Sequence, residues 1–390
     1  MTVPATQAQI ARRVGISQQA VSYVLGNHSS RSRIRVRPEV RRKVLRVARR
    51  LGYRPNRLAQ AVRKRRSGLI GVFSFHGASE VGARRTFFAA KCIREAGYHL
   101  LATDAAWYAR GVEDALHAML DARVEGILIA TPPEWFSVSL VRRTRDMGVP
   151  MVGLSGASLY GVPQVRADVR QGMALLVRHL LELGHRHLVL AMRLRSSSRS
   201  SANWTMRERL EGFRDAVREF RLRAPTALHP EPVASVLEVP PPADAWPSYQ
   251  CGVEALRAVL KGGDAPDVLL CSNDDWAVGA LRACVDRGLS VPDEMAVTGF
   301  DGTSAGAFCT PRLTSVLQPV EEMARRGVDL LLRQIGGEKL PPSERLLKLP
   351  CVLMVRESCG TPACDRPIVA ESKPPLSPSL NLQTSSAVSL

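Results

Sequence analysis

Acidic side chains are almost absent from the start of this 390-residue chain. Residues 1–66 hold 18 lysines and arginines but a single acid, Glu39, whereas the rest of the chain holds 36 bases and 35 acids. Seventeen of the 18 net positive charges therefore lie within those 66 residues. A local excess of one sign indicates a polyanionic partner, either a nucleic acid or an anionic membrane surface.

Long apolar runs are also missing. No stretch approaches the ~20 apolar residues of a membrane-spanning helix. Residues 1–9 lead into a polar helix without the apolar core of a signal peptide. We therefore expect a cytoplasmic protein that neither spans a membrane nor is secreted.

The chain also lacks several short motifs that support common enzyme chemistries. It contains no His-Glu-x-x-His pair, Walker loop or dinucleotide-binding fingerprint. Its eight cysteines are scattered and none forms a Cys-x-x-Cys pair, so we expect no zinc site. Asp274, Asp275, Asp301, His185 and His187 remain as acids, bases or metal ligands for an enzyme. These features favour a protein without catalytic activity, metal or cofactor.

The basic segment has the pattern of folded helices. Thr6 and Gln9 form a capping-box pair at the start of a first helix, which ends at a turn on Gly15. Ser17 can cap a second helix, and Pro38 begins a third. Two short helices joined by a glycine turn are typical of a helix-turn-helix, whose second helix enters the major groove. Because the apolar stripes are needed for the core of this module, we favour nucleic acid over a membrane.

The electrically balanced remainder alternates short apolar runs with amphipathic helical patterns. The runs are typical of strands buried on both faces, at residues 69–73, 126–130, 150–153, 187–191, 268–271 and 295–299. Predicted helices lie between them, for example at residues 114–122, 173–183 and 276–287. Strands that alternate with helices form parallel sheets, and nearly 300 residues are more than one hydrophobic core usually contains. We therefore expect two doubly wound α/β lobes with a ligand cleft at the carboxyl ends of the strands.

Several segments resemble the lac repressor–galactose repressor family of transcriptional regulators, in the order of that family. Residues 11–25 (ARRVGISQQAVSYVL) resemble its recognition module, and residues 51–60 (LGYRPNRLAQ) resemble its link to a hinge helix. Four further segments are similar to its effector-domain signatures: 179–185 (HLLELGH), 209–213 (RLEGF), 272–274 (SND) and 299–301 (GFD). The resemblance covers roughly residues 5–356 and implies two lobes of the periplasmic-binding-protein type.

The resemblance implies DNA contacts for ten residues. Gln18 and Gln19 fall where relatives touch base edges, and their amides suit adenine, although one of them could contact only phosphate. Tyr23 stands where relatives commonly carry an arginine, and Val62 stands where they often carry a minor-groove leucine. The other implied contacts are Ser17, Ser22, Arg41, Asn56, Arg57 and Ala59.

The resemblance also implies an effector site. Arg209, Asn273 and Asp301 hold positions that bind a small ligand in relatives, most often a sugar or nucleobase, although Asn and Asp could serve only as helix caps. Trp246 lies one residue out of register with an aromatic position of the family and could stack on a sugar. The arginine-rich residues 193–199 could select an anionic ligand, but a solvated loop is the more common outcome.

The sequence thus predicts four regions: a helix-turn-helix domain (1–55), a hinge helix and linker (56–66), a two-lobed ligand-binding and dimerisation domain (67–357) and a disordered tail (358–390). We expect a ligand-responsive transcriptional regulator, more often a repressor than an activator in this family. It would bind a pseudo-palindromic operator as a homodimer, because one module buries too little surface alone. Its partners would be double-stranded DNA and a sugar-like effector. The alternatives are an enzyme and a two-lobed binding protein without DNA-level regulation.

Overall fold

The computed structural model describes most of the chain. The described residues are 5–25, 36–53, 66–74, 80–104, 109–130, 137–156, 160–193, 201–223, 230–240, 248–263, 265–361 and 366–369. The chain divides into two compact units, Met1–Gly68 and Leu69–Leu390. The division falls at the end of the basic segment.

The described residues of the first unit form three helices. Its helices are α1 (Gln7–Val14), α2 (Gln18–Leu25) and α3 (Pro38–Arg50). Gly15 ends α1 with a φ of 80°, a left-handed conformation in which a side chain would be strained. The apolar faces meet in a core of Ile10, Ala11, Val14, Val21, Val24, Val44 and Ala48. Burying each Val or Ile stabilises the module by roughly 1.5–3 kcal/mol, so the apolar stripes are used internally.

The second unit is an α/β fold of two sheets with helices on their faces. Its strands are β1 (Leu69–Ser74), β2 (His99–Asp104), β3 (Gly126–Ile129), β4 (Met151–Gly153), β5 (Gln164–Asp168), β6 (His187–Met192), β7 (Val233–Glu238), β8 (Val268–Cys271), β9 (Ala296–Asp301), β10 (Thr314–Leu317), β11 (Leu346–Pro350), β12 (Val352–Val355) and β13 (Arg366–Val369). Its helices are α4 (Glu80–Glu95), α5 (Ala109–Asp121), α6 (Val138–Asp146), α7 (Val169–Glu182), α8 (Ser201–Arg223), α9 (Ser248–Lys261), α10 (Asp274–Val285), α11 (Ser304–Phe308) and α12 (Val320–Ile335). No helix of the described ranges is long and apolar enough to cross a membrane.

The two sheets define two doubly wound lobes, as predicted. The first sheet is parallel throughout, in the spatial order β11-β5-β4-β3-β1-β2. The second sheet has the order β13-β12-β10-β9-β8-β6-β7, in which β12 runs antiparallel to both neighbours. The chain passes between the lobes after β5, β10 and β11. Both lobes are therefore built from separate segments of sequence.

The predicted strands agree with the observed ones within two residues. Every residue of β3, β8 and β9 is buried, because helices cover both faces of each sheet. The strand expected at 295–299 continues to Asp301, which makes this carboxylate the last residue of β9. The helix predicted from residue 114 instead begins at Ala109.

The prediction of a disordered tail from residue 358 is wrong for its first part. Ser358 and Cys359 are fully buried, and the Ser358 hydroxyl donates to the Val297 carbonyl at 2.6 Å. The strand β13 then pairs antiparallel with β12 at the edge of the second sheet. A four-residue edge strand is too short to show an alternating pattern, so no pattern in the sequence predicts it. Residues 370–390 lie outside the described residues.

Candidate nucleic-acid surface and effector cleft

Side-chain caps fix the start of both helices in the helix-turn-helix. The Thr6 hydroxyl accepts from the backbone nitrogen of Gln9 at 3.3 Å, and the Gln9 side-chain oxygen accepts from the backbone nitrogen of Thr6 at 2.9 Å. The Ser17 hydroxyl accepts from the Ala20 nitrogen at 3.2 Å, which sets the first turn of α2. Gln18 and Gln19 lie in that first turn and are exposed. The capping predicted for Thr6, Gln9 and Ser17 is confirmed.

The described module presents its charges to solvent. Arg41 is exposed, and so are the other cations of α3, namely Arg42, Lys43, Arg46, Arg49 and Arg50. Ser22 and Tyr23 are half-buried on α2. This arrangement leaves two glutamines and a row of cations available to a partner. The predicted hinge contacts Asn56, Arg57, Ala59 and Val62 lie outside the described residues.

The second unit holds a cavity of about 150 Å³ between its lobes. Arg209 on α8, Asn273 after β8 and Asp301 at the end of β9 all line it. The first lobe contributes Arg85 on α4 and Arg166 on β5. The three effector residues predicted from sequence are thus brought together at the carboxyl ends of strands, where α/β folds bind ligands. Trp246 lies outside the described residues.

Arg209 and Asp301 form a buried ion pair. The Arg209 Nη2 donates to Asp301 Oδ1 at 2.8 Å, and the two side chains are only 3% and 9% exposed. Arg209 Nη1 donates to the Ser272 carbonyl, and its guanidinium lies 3.9 Å from the Phe300 ring centroid. Charge, hydrogen bonds and stacking therefore fix this guanidinium in one orientation.

Asp301 is held in an unusual backbone conformation. Its φ is 119°, a region that favours glycine and costs about 1–3 kcal/mol for other residues. Gln318 Nε2 donates to Asp301 Oδ1 at 2.7 Å, so the carboxylate accepts from both Gln318 and Arg209. Strain of this kind persists where the surroundings over-determine a residue, as at ligand sites.

Asn273 is a helix cap as well as a cavity residue. Its Oδ1 accepts from the Trp276 nitrogen at 2.9 Å at the start of α10. The residue after it, Asp274, is 1% exposed. Burial, with the charge of Asp301, raises the pKa of Asp274 to about 6, although it accepts from Ser315 Oγ and the Thr303 nitrogen. Asn273 can therefore cap α10 through its Oδ1 and also contact a ligand in the cavity.

Arg85 and Arg166 are cavity residues that the sequence reasoning missed. Arg85 is 7% exposed and makes only long hydrogen bonds, 3.4 Å to the Ala130 carbonyl and 3.5 Å to Gln318. Arg166 is 6% exposed, donates to Gln164 at 2.6 Å and stacks 4.5 Å from the Trp204 ring centroid. The available signal was an arginine within an otherwise buried strand or helix face. Within the arginine-rich segment 193–199, Arg193 donates to the Cys251 sulfur at 2.9 Å, and residues 194–199 lie outside the described residues.

Two contacts join the lobes beside the cavity. The Glu80 carboxylate on α4 accepts from the Ser304 nitrogen at 2.9 Å and from its hydroxyl at 2.9 Å. Arg84 Nη1 donates to the Gly302 carbonyl at 3.0 Å. Residues 302–306 (GTSAG) match the Gly-x-Ser-x-Gly pattern of hydrolase elbows, but no described histidine hydrogen-bonds Ser304. The base that would activate such a serine is thus lacking among these residues.

Other candidate groups are structural. The His185 Nε2 lies 3.0 Å from the Cys359 carbonyl and ties the backbone, as expected for a helix-to-strand connection. The seven described cysteines are free thiols, and the described residues contain no cluster of three metal-ligating side chains. A larger concavity of about 570 Å³ lies at the amino ends of β4 and β5. That end of a parallel sheet is the one opposite to usual ligand sites.

Comparison with known proteins gives a consistent result for both units. Residues 7–56 match the model for bacterial regulatory proteins of the lacI family, and residues 177–359 match the periplasmic binding protein-like domain. The chain is 31% identical over 345 residues to the HTH-type transcriptional regulator MalR of Streptomyces coelicolor, covering 86% of this chain and 92% of the relative.

Solved structures resemble the whole chain. The lac repressor dimer bound to operator and the anti-inducer ONPF aligns with a TM-score of 0.74 at 25% identity, over 92% of this chain and 99% of the other. A complex of the transcriptional regulator CelR with cellobiose aligns with a TM-score of 0.61 at 26% identity, over 91% of this chain and 99% of the other. Both similarities extend across the helix-turn-helix and the two lobes.

Proposed function

Because the chain belongs to the lacI family of bacterial regulatory proteins, we propose that it represses transcription as a homodimer on a pseudo-palindromic operator. A small sugar-like ligand in the inter-lobe cavity would control its affinity for DNA. One observation carries the proposal. A folded module with exposed Gln18, Gln19 and α3 cations shares a chain with a two-lobed unit whose cavity is lined by polar side chains.

Charge and exposure support separate roles for two parts of the module. The α3 cations can neutralise phosphates, which gives affinity without sequence information. The amides of Gln18 and Gln19 can donate to and accept from a base edge in the major groove, which gives sequence preference. Tyr23 and Ser22 lie one turn further along α2 and contribute less exposed surface.

Exposed aromatic side chains support the homodimer. Phe87 is 61% exposed and lies two helical turns after Glu80 on α4, whereas Phe308 is 87% exposed and lies one turn after Ser304 on α11. Glu80 bonds Ser304, so the two helices that carry these rings, α4 and α11, are joined at the contact between the lobes. Apolar surface at such a position is typical of an interface. The lac repressor structure named above is itself a dimer on operator DNA.

A DNA-binding experiment with matched variants tests the proposal. Fragments selected from the source genome by the purified full chain would supply the preferred site. Gln18→Ala and Gln19→Ala should weaken that site by about 1–3 kcal/mol and leave random DNA little changed. Arg41→Ala should weaken both about equally, and Arg282→Ala, which removes an exposed arginine of the second unit, should weaken neither.

The dependence on salt provides a second test. Affinity should fall by roughly 0.9 log units per log of salt for each phosphate neutralised. A flat salt dependence contradicts the proposal, as does equal binding by a chain that lacks residues 1–66. If the chain binds only small ligands and no DNA, the alternative of a two-lobed binding protein is correct. Since the site of action is DNA, we also propose that the protein works in the bacterial cytoplasm.

A further inference from the structure

The inter-lobe cavity has an excess of buried positive charge. Among its described lining side chains, three are guanidiniums and one is a carboxylate, and each of these four residues as a whole is at most 7% exposed. Asp301 neutralises Arg209. No described carboxylate forms an ion pair with Arg85 or with Arg166. Among the described side chains of the wall, the two charges contributed by the first lobe therefore have no ion-pair partner.

Arg85 is the less satisfied of the two. Its Nε has no hydrogen-bond partner among the described residues, and its bonds to Ala130 and Gln318 are at the long limit. The pKa of Arg85 is lowered to about 10, because the effect of burial, with a smaller lowering by Arg209, outweighs the raising effect of Asp301. The side chain still carries its charge at neutral pH. A buried charge without a partner is costly, so its retention needs an explanation.

Arg166 is fixed in place more firmly. It donates two hydrogen bonds to Gln164 and stacks on Trp204, which leaves its orientation defined while its charge is not neutralised. Glu208 lies close enough to influence its pKa but forms no ion pair with it. A planar guanidinium that is held in this way suits carboxylate or phosphate oxygens, which it can bind through two parallel N–H groups.

We infer that the effector carries an anionic group, a carboxylate or a phosphate, which Arg85 and Arg166 bind on the first-lobe side of the cavity. Arg209, Asn273 and Asp301 would then face its neutral hydroxyl groups from the second lobe. A cavity of about 150 Å³ is large enough for a six-membered ring. The inference deepens the proposed function by naming the chemical class of its ligand.

Inorganic phosphate is the first probe, because it needs no assumption about the rest of the ligand. At matched ionic strength, phosphate should raise the melting temperature of the full chain more than chloride does. The double variant Arg85→Gln/Arg166→Gln should bind phosphate at least tenfold more weakly. Arg94→Gln removes an exposed arginine of the same helix α4 and should bind phosphate as the wild type does. If the double variant and Arg94→Gln respond equally, the inference is overturned.

Three sugars with the same ring distinguish the source of the anion. Glucuronate binding more tightly than glucose assigns a carboxylate, and glucose 6-phosphate binding more tightly assigns a phosphate. If phosphate binds at the two arginines but none of the three sugars binds, the anion site is supported and the effector carries a ring other than that of glucose. Glucose binding as tightly as both charged derivatives overturns the inference.

Replacement of Arg85 by methionine gives an independent readout on the protein without ligand. Arg85→Met removes an unpaired buried charge, so the melting temperature should rise while phosphate binding weakens. An arginine with a purely structural role would show a fall in melting temperature instead, and that result counts against the inference. Operator binding measured on the same samples separates the two proposals. A wild-type chain that binds phosphate but no operator contradicts the proposed function and leaves the anion site standing.

Discussion

Removing the charge of Asp301 is expected to destabilise the second unit by about 3–5 kcal/mol. Charges about 4 Å apart at an effective dielectric constant of ~20 attract by about 4 kcal/mol. Loss of one partner from a buried pair costs about 3–5 kcal/mol, because the remaining charge is uncompensated. Asp301→Asn is the suitable change, since it keeps the size of the side chain and Asn tolerates a positive φ. Arg209 would then remain 3% exposed without its counter-charge.

Urea unfolding followed by tryptophan fluorescence provides the assay. All five tryptophans lie beyond residue 68, so the signal reports on the second unit alone. The double variant Arg209→Met/Asp301→Asn removes both charges and should recover part of the lost free energy. We expect an interaction free energy of about 0.5–3 kcal/mol from the double-mutant cycle. Phosphate and sugar binding measured on the double variant then test the effector site in a folded protein.

Two results would refute this reasoning. One is a loss below about 1 kcal/mol for Asp301→Asn, which is the range of exposed ion pairs. The other is a double variant whose loss equals the sum of the two single losses, which would mean that the pair is not coupled. Arg209→Ala and Asp301→Ala are the simplest truncations with which the ligand response could be tested. The buried pair makes both unsuitable, because each change also lowers stability.

Three further outcomes are expected. Burial raises the pKa of Asp274 to about 6, so the folded state binds this proton more tightly than the unfolded state does, and the free energy of unfolding falls as pH rises from about 4 to about 6. Denaturation of Asp274→Asn across pH 4–7 should lack this part of the fall, and pH profiles identical to those of the wild type would exclude a contribution from Asp274. Glu80→Gln weakens a contact between the lobes, so small-angle scattering should give this variant a larger radius of gyration than the exposed control Glu95→Gln. Equal radii would contradict the role of Glu80 in joining the lobes. Val62→Leu should tighten operator binding and increase the DNA bend if the hinge inserts a side chain in the minor groove, whereas unchanged affinity and bend angle would show that no such wedge is used.

Local chemistry made much of the fold predictable. The capping box at Thr6, the turn at Gly15 and the helix start at Pro38 depend on neighbours within four residues, and the structure confirms each. Apolar runs located six strands because both faces of each sheet are covered. The other strands of the described residues were missed, namely β2, β5, β7, β10, β11, β12 and β13. The edge strands β7 and β13 are partly exposed and lack a continuous apolar run.

The candidate site was only half predictable. Asn273 and Asp301 lie at or just after the ends of recognisable strands, and the resemblance to the family was what grouped them with Arg209. Arg85 lies in a helix whose pattern does not show which face meets the other lobe. Its proximity to Gln318 comes from the crossing after β10, which is a property of topology rather than of any local motif.

The threefold crossing between the lobes has a consequence for how such proteins can be recombined. The described residues within 69–168 and 320–350 build the first lobe, whereas those within 169–319 and 351–369 build the second. Strand β11 completes the edge of the first sheet beside β5. A single exchange of contiguous sequence with a relative would therefore transplant a lobe without one of its strands or helices. Ligand preference encoded by the wall of one lobe can be moved between family members only by exchanging two paired segments. Ligand preference is therefore changed more readily by point substitutions, such as those that place Arg85 and Arg166.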